Sequence, residues 1–341
     1  MDDAVPVRDI SSAPPAAWRR IDLFAIAVRF QSVIGLVLVA IGGVIFSPQR
    51  HGHILFLAPD NIANIVRAVS ETGIIAVGMT FVIITAGIDL SVGALLSLSS
   101  VLTATIMTTA GWGLIPTILF VVACGAAFGA VQGLISTRFR LEPFIVTLAG
   151  LQGFRGLTLL VSGGMTIAGM PASLSLVSQT SVLGIPTMFV IMLAFAAISH
   201  YLLSATRLGR YMYAIGSNAE AARRLGINVT GVTLTAYALA ALFATVSGML
   251  LVARLTMGNP NAGQGAELQA IAAAVVGGAS LFGGRGTVVG CFIGAVLFTT
   301  IGNGANLLGI SSFWQMVAEG LLIAGVVYLD NLQKRRHAGH R

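Results

Sequence analysis

Charge is scarce in this chain. Only 9% of its 341 residues are Asp, Glu, Lys or Arg, against roughly 25% in soluble globular domains, and that deficit excludes an ordinary water-soluble enzyme. Lysine is nearly absent: Lys334 stands alone among 19 basic residues. A Gly-x-x-x-x-Gly-Lys-Ser/Thr phosphate loop therefore cannot exist here, and if ATP powers this protein another chain must bind it. Cysteine is also rare, and Cys124 and Cys291 both sit in apolar runs, which speaks against a disulfide framework or a thiolate metal site. The five histidines show no metal-ligand spacing, and His51 and His53 fall in a loop. No Ser-His-Asp or dinucleotide constellation appears, so no covalent chemistry and no metal is expected of this chain.

What is present is apolar and small. Hydrophobic residues make up 56% of the chain and glycine 41 positions, the composition of closely packed helical membrane spans. Ten apolar runs follow one another, at about 30–46, 62–86, 90–110, 113–137, 143–162, 186–205, 231–254, 266–282, 287–305 and 313–330, each near the length of a bilayer crossing. The polar start of the chain, with Asp2, Asp3, Asp9 and Pro14-Pro15, does not read as a cleavable signal. With that end inside, the inside segments hold Arg8, Arg19, Arg20, Arg29, Arg138, Arg140, Arg207, Arg210, Arg223, Arg224, Arg285, Lys334, Arg335, Arg336 and Arg341, fifteen of the 19 cations. Inverting the topology reverses that bias, so an even span count with both termini cytoplasmic is expected. The net charge of +7 thus belongs to membrane topology, and nucleic acid is not an expected partner. The organisation reads as a cytoplasmic N-terminal tail over 1–29, one transmembrane domain over 30–330 and a basic cytoplasmic tail over 331–341.

The second run carries Asn61, Asn64, Arg67, Ser70 and Glu71 ahead of a short apolar stretch, Gly73 to Ala86. A polar or broken helix at membrane depth must face protein or water, so this run is expected inside the bundle. At an offset of 196 residues Glu71 meets Glu267, Gly87 meets Gly283 and Val92 meets Val288, a pattern compatible with two related halves. Asp89 opens the third run and reads as its N-cap, with Ser91 in the first turn; the alternative is a gate or an ion pair with Arg285. Gly283-Gly284-Arg285-Gly286 reads as a tight turn between spans. Arg155 lies within a run and needs a partner or water, with Glu71, Glu267 and Glu319 as candidates. Asn64, Gln152, Phe154, Arg155, Asn303, Asn306, Trp314 and Gln315 could offer amides, charges and aromatic faces to a polar ligand.

The long inside loop over 206–231 holds a short amphipathic helix by its signals: Ser217 or Asn218 as N-cap, Glu220 in the first turn and Gly226 as the stop. Glu220-Ala221-Ala222-x-x-x-Gly226 resembles the signature by which ABC importer permeases dock on their ATPases. Four further blocks resemble ribose-type monosaccharide permeases. They are Gly78 to Gly93, containing Thr-Ala-Gly-Ile-Asp-Leu-Ser-Val-Gly; Glu142 to Leu148; Thr206-Arg-Leu-Gly-Arg-Tyr-x-Tyr-Ala-Ile-Gly216; and the block between Ala273 and Gly284, containing Val-Val-Gly-Gly-Ala-Ser-Leu.

The resemblance covers roughly 60–330 and implies the membrane subunit of an ATP-binding-cassette importer. It implies an all-α fold of about ten transmembrane helices similar to the cobalamin importers, in the cytoplasmic membrane of a bacterium. It implies as partners a second permease copy, a cytoplasmic ATPase that carries the ATP and Mg, and an extracytoplasmic sugar-binding protein, all working against membrane lipid. By the same resemblance Arg207, Gly209, Arg210, Asn218, Glu220, Ala221, Ala222 and Gly226 fall in the ATPase-coupling region. Gly87, Asp89, Ser91, Gly93, Gly283 and Arg285 fall in gating or structural motifs. The chain catalyses no covalent step, and its charge-poor interior suits a neutral ligand such as ribose. Three other readings stand beside this one: the same importer class acting on a nucleoside, a furanose signal or another sugar; a passive channel; and an ion-coupled transporter using Glu71, Asp89 or Glu267.

Overall fold

The computed structural model describes residues 31–50 and 52–338, so the expectation of a tail over 1–29 lies outside the described residues. Among the described residues thirteen α-helices follow in order: α1 (Gln31–Phe46), α2 (Pro59–Ile84), α3 (Val92–Thr108), α4 (Leu114–Arg138), α5 (Pro143–Ser162), α6 (Ala172–Gln179), α7 (Thr187–Ala205), α8 (Arg207–Ser217), α9 (Ala219–Arg224), α10 (Val229–Leu255), α11 (Ala266–Val276), α12 (Val288–Leu307) and α13 (Ser312–Ala338). Among the described residues strand is confined to two antiparallel hairpins of two-residue strands, Gln49–Arg50 with His53–Ile54 and Ser181–Val182 with Ile185–Pro186. Among the described residues α2, α4, α5, α7, α10 and α12 are long and apolar enough to cross a membrane, while α1, α3 and α11 are shorter apolar helices. The chain is a polytopic all-α membrane protein.

Burial sorts these helices into centre and wall. The apolar windows of α2 and α10 are 83% and 78% buried, whereas those of α4, α5 and α7 are 22% buried. Their outward apolar side chains, such as Leu119, Leu160 and Ile198, are what a lipid solvent accepts. Of the polar or broken helix expected here the polar form is found: α2 runs unbroken from Pro59 to Ile84, and its apolar window lies in the interior as expected. Its Pro at the first turn and Asp60 suit a helix start. Helix α10 packs along α4 because Gly125, Gly129 and Gly133 lie one turn apart and face Thr245, Ala241 and Leu234. This small-xxx-small spacing lets backbones approach and build dispersion contact where lipid removes the usual hydrophobic drive.

Two helices begin inside the bundle rather than at its surface. Ser247 Oγ donates to the carbonyl of Glu71, the midpoint of α2, at 3.0 Å, and Gly248 lies against Leu96 and Ser99 of α3. The first turn of α3 is thus close to mid-depth, and residues 85–91 climb back to it from the end of α2. The segment after α10 descends along α3 in the opposite sense: the Asn259 amide meets Ser100 Oγ at 3.4 Å and the Gly263 amide meets Ser97 Oγ at 2.9 Å. Helix α11 starts where that descent ends. The apolar run expected over 266–282 therefore yields a helix of only 11 residues, because Gly277-Gly278 opens a chain of turns in which Gly278, Gly283, Gly284 and Gly286 all take positive φ. The offset of 196 survives in one boundary, since α3 starts at Val92 and α12 at Val288. Backbone groups such as the amides of Gly87, Ser91, Gly263 and Gly284 find partners within protein, which makes such depth tolerable.

Candidate functional site

The loop over 206–231 folds into two helices, not the single one expected. Thr206 caps α8 by accepting from the Gly209 amide at 3.3 Å, and Asn218 caps α9 by accepting from the Ala221 amide at 2.9 Å. Asn218 is therefore the cap, while Ser217 ends α8. Gly226 takes φ +82° beyond α9 in the left-handed conformation of a helix stop. Arg223 and Arg224 both approach Glu220, at 3.9 and 3.3 Å, with every side chain exposed. Arg207, Glu220 and Ala221 face out, whereas Gly209 and Ala222 are buried.

Helix α8 is locked to the bundle by backbone. A Cβ on Gly216 would collide with the Ile84 carbonyl at the end of α2 and with the Gly284 amide. The Gly284 amide itself donates to Ile84 O at 2.9 Å, and Tyr213 Oη donates to Gly286 O at 2.8 Å. Burial pushes the Tyr213 phenol above its ordinary range, so it stays a protonated donor. Gly283, at φ +81°, presses on Ala86 and Gly216. Three blocks separated by up to 200 residues in sequence, around 84–87, 213–217 and 283–286, thus form one knot. Tyr213 was legible only as part of a motif, and the contact that gives it a role is tertiary.

Deeper in, Asp89 differs from its expected role. The capping position of α3 is Ser91; Asp89 Oδ1 accepts from the Ser91 amide at 2.8 Å and its hydroxyl at 2.6 Å. The Ser91 hydroxyl also lies 3.0 Å from Gln132 Oε1 on α4. No Asp89–Arg285 ion pair forms: among the described residues the only paired carboxylates are Glu220 and Glu71. The polar climb of 85–91 is held by neighbours instead, with Tyr237 Oη 3.5 Å from Ile88 O and a Cβ on Gly87 excluded by the Tyr237 hydroxyl. Gly93 has a similar purpose. A Cβ there would overlap Glu267 Oε2 and the Gly263 carbonyl, so the carboxylate at the head of α11 seats on the first turn of α3. Two helix N-termini, each with amides lacking helical partners, thereby surround one acid.

The candidates for the path separate into braces and free groups. Arg254 takes Glu71, through Nε at 2.7 Å and a second nitrogen at 2.8 Å, so Glu71 is not the partner of Arg155. Glu319 accepts from Gln269 Nε2 at 2.8 Å. Glu267 lies within electrostatic range of Arg155, but among the described residues Arg155 forms no ion pair. Asn303 exchanges amide hydrogen bonds with Asn61 at 3.1 and 2.8 Å, tying α12 to α2, and Asn306 accepts from Gln315 at 2.8 Å. Asn64 accepts from Arg67 at 3.3 Å. Phe154 is buried against Phe128, ring centroids 5.0 Å apart. Trp314 is 69% exposed beside Phe313 and Met316, an apolar outer face. Gln152 is exposed and Arg155 half-buried on α5, where Gly153 and Gly156 have nothing against them. Gln269 was missed, because one amide in an apolar run gives no pattern.

A multi-pass helical bundle with polar groups at mid-depth, and with a helix pair locked to one end of its core, defines a membrane transport protein. More particularly, residues 61–327 match the family described as branched-chain amino acid transport system, permease component, and the chain belongs to that family. It is 42% identical to the ribose import permease protein of Bacillus subtilis (strain 168) over 314 residues, covering 92% of this chain and 95% of that one. It is 41% identical to the ribose import permease protein of Escherichia coli (strain K12), covering 87% and 91%. With the xylose transport system permease protein of Haemophilus influenzae (strain ATCC 51907 / DSM 11121 / KW20 / Rd) it shares 32% identity, covering 91% and 98%. No solved structure matches the chain. The protein is a permease subunit of the bacterial inner membrane, not an enzyme.

Proposed function

We propose that this chain is the membrane subunit of an ATP-binding-cassette importer that carries ribose or a similar monosaccharide by alternating access. The observation that carries the sugar reading is identity above 40% with two ribose import permeases along nearly the whole chain. Xylose is the runner-up, favoured by the relative at 32%. The fold reads as about ten spans of the cobalamin-importer kind, counting α1, α3, α11 and α13 with the six long helices, over a single domain at 30–330 with both termini cytoplasmic. The arginine bias supports that orientation.

In this reading α8 and α9 receive a cytoplasmic ATPase, with Arg207, Arg210, Glu220 and Ala221 toward it and Gly209, Asn218, Ala222 and Gly226 shaping the loop. The knot at Gly216, Ile84 and Gly284 passes that motion to α2 and to the turn below α11. Gly87, Asp89, Ser91, Gly93, Gly283 and Arg285 act in this transmission. The sugar passes between two copies of the chain, along the α5 face with Gln152 and Arg155, since a half-exposed Arg among spans needs water or protein rather than lipid. An extracytoplasmic sugar-binding protein docks at the opposite end. A crevice of about 680 Å³ there, with Ile62, Val66, Ile185 and Phe189 on its walls and Arg67 and Gln179 among its polar groups, is a candidate for that contact. Uptake of labelled D-ribose at low micromolar concentration, in cells with and without this gene, tests the proposal. Loss on deletion and recovery on complementation is the expected result; unchanged uptake in a host lacking any second ribose system rejects ribose.

A further inference from the structure

We infer that a single acyl chain of a bilayer phospholipid lies in a slot between α4 and α7, stretched along α10. Such a site serves any cargo alike, because it depends on the membrane spans and not on the sugar reading. The slot has a volume of about 570 Å³, and every residue that lines it is apolar. Leu239, Leu242, Val246 and Met249 of α10 form its floor. Ile118 and Val122 of α4 stand on one side, and Ile191, Ile198 and Leu202 of α7 on the other. All three helices are long and apolar enough to cross a membrane. Ile198, at the rim, is 57% exposed, so the slot opens sideways, toward hydrocarbon.

Its dimensions select the occupant. From Leu239 to Ala253 the floor runs about 21 Å, at the helical rise of about 1.5 Å per residue. Spread over that length, the volume of about 570 Å³ is a bore about 6 Å across. A second helix, about 10 Å across with its side chains, does not enter it. An alkyl chain does, since carbons in contact sit about 4 Å apart. Water does not fill it, because apolar cavities stay dry, and a sugar would lose its hydrogen bonds there. Half of the hydrocarbon core is about 15 Å thick, so the chain that fills the slot is drawn straight. The ends differ, which gives that chain a direction. Beyond Met249 the slot is closed by α6, where Leu174 and Val177 line it and Ser178 Oγ donates to the Ala253 carbonyl at 2.8 Å. The methyl terminus therefore sits at that end, and the ester end leaves past Leu202 and Leu239. Occupancy reaches the centre of the bundle through Phe243. Its ring meets Phe195 edge-on at 4.9 Å and Phe81 at 5.9 Å, and a Cβ on Gly78 of α2 would press on it. A chain against Phe195 and Phe243 braces the seat of α2.

The test uses the full chain in phosphatidylcholine nanodiscs that carry a trace of one of two photoreactive lipids. One holds a diazirine at the methyl end of a palmitoyl chain, the other beside the ester. After irradiation the labelled residues are mapped by mass spectrometry. The first lipid should label around Met249 and Leu174, and the second around Leu202 and Leu239. Each should do so about tenfold more than at the lipid-facing controls Leu119 and Leu160, which are 67% and 80% exposed. Val246→Trp fills the bore and should cut labelling in the slot about tenfold while the controls keep theirs. If that variant fails to insert, the pattern on the unmodified protein decides alone. Equal labelling of slot and controls means ordinary boundary lipid and overturns the site, as does a pattern that ignores the diazirine's position. Slot residues labelled less than the controls would mean that a protein segment covers the groove, which also overturns it.

Discussion

Glu71 shows how much one side chain can hold. It is 7% exposed at the midpoint of α2, and Arg254 reaches it from the last turn of α10 with two short hydrogen bonds. Neither charge has another charged partner among the described residues. Glu71→Gln should therefore destabilise the protein by ~3 kcal/mol, the lower end of the cost of orphaning a buried charge, because the Arg254 side chain is 32% exposed and water offsets part of the loss. Thermal unfolding in lipid nanodiscs measures it, and the double variant Glu71→Gln, Arg254→Gln should lose less than the sum of the singles. Gly216 is the second such residue. Gly216→Ala places a methyl against the Ile84 carbonyl and the Gly284 amide, backbone atoms that cannot rotate away. Uptake should fall sharply, whereas Gly302→Ala, with open space around it, should leave uptake near the parental level.

Among the α-helices of the described residues, α9 is the shortest and most dependent on its ends. With six residues it cannot sustain itself by propensity, so the Asn218 side chain on the Ala221 amide is a large part of its stability. Asn218→Ala should cost about 1 kcal/mol locally, seen as faster amide exchange over 219–224 with no change in the membrane helices. The outward Glu220 and the αL stop at Gly226 give a separate expectation at this scale. Glu220→Lys and Gly226→Val should reduce co-purification of the ATPase while membrane insertion stays intact; normal ATPase assembly in both variants would refute the coupling role. Helix α11 teaches the reverse lesson. Its apolar run looks long enough to be a span, and two glycines with the descending strand of chain before it decide otherwise. Sequence periodicity marks which residues are apolar, but not the depth at which a helix begins.

At the scale of the whole molecule the orientation makes a plain prediction. Leu183, at a hairpin tip and 98% exposed, and Leu225, after α9 and 82% exposed, lie at opposite ends of α7 and its flanking segments. In intact cells Leu183→Cys should react with an impermeant thiol reagent and Leu225→Cys should not; inside-out vesicles should reverse the pattern. Reaction of both from one side would overturn the topology. The open face of α5 belongs to this scale as well: Gly153 and Gly156 have nothing packed against them, Gln152 is exposed and Arg155 is half-buried.

Much was legible beforehand, for a physical reason in each case. A bilayer fixes the length of a crossing and penalises charge, so the order of the helices, the interior position of α2 and the arginine bias are all one-dimensional information. Local hydrogen bonding likewise marks Asn218 as a cap and Gly226 as a stop, because both act within four residues. Pairing across the bundle is not written in that way. Arg155 was a candidate for Glu71, and Arg254 took it; Asn303 stood as a ligand group, and Asn61 satisfied it; Gln269 gave no signal until Glu319 lay beside it. Each choice depends on which side chains share a depth and a face, and only the packed helices bring those together. The sequence by itself determined a charge-poor chain of membrane helices with its inside loops marked by arginine. The tertiary structure decided that α3 and α11 start within the bundle, and that residues 84, 216 and 284 meet, because those contacts arise from close backbone approach between segments that no local rule connects.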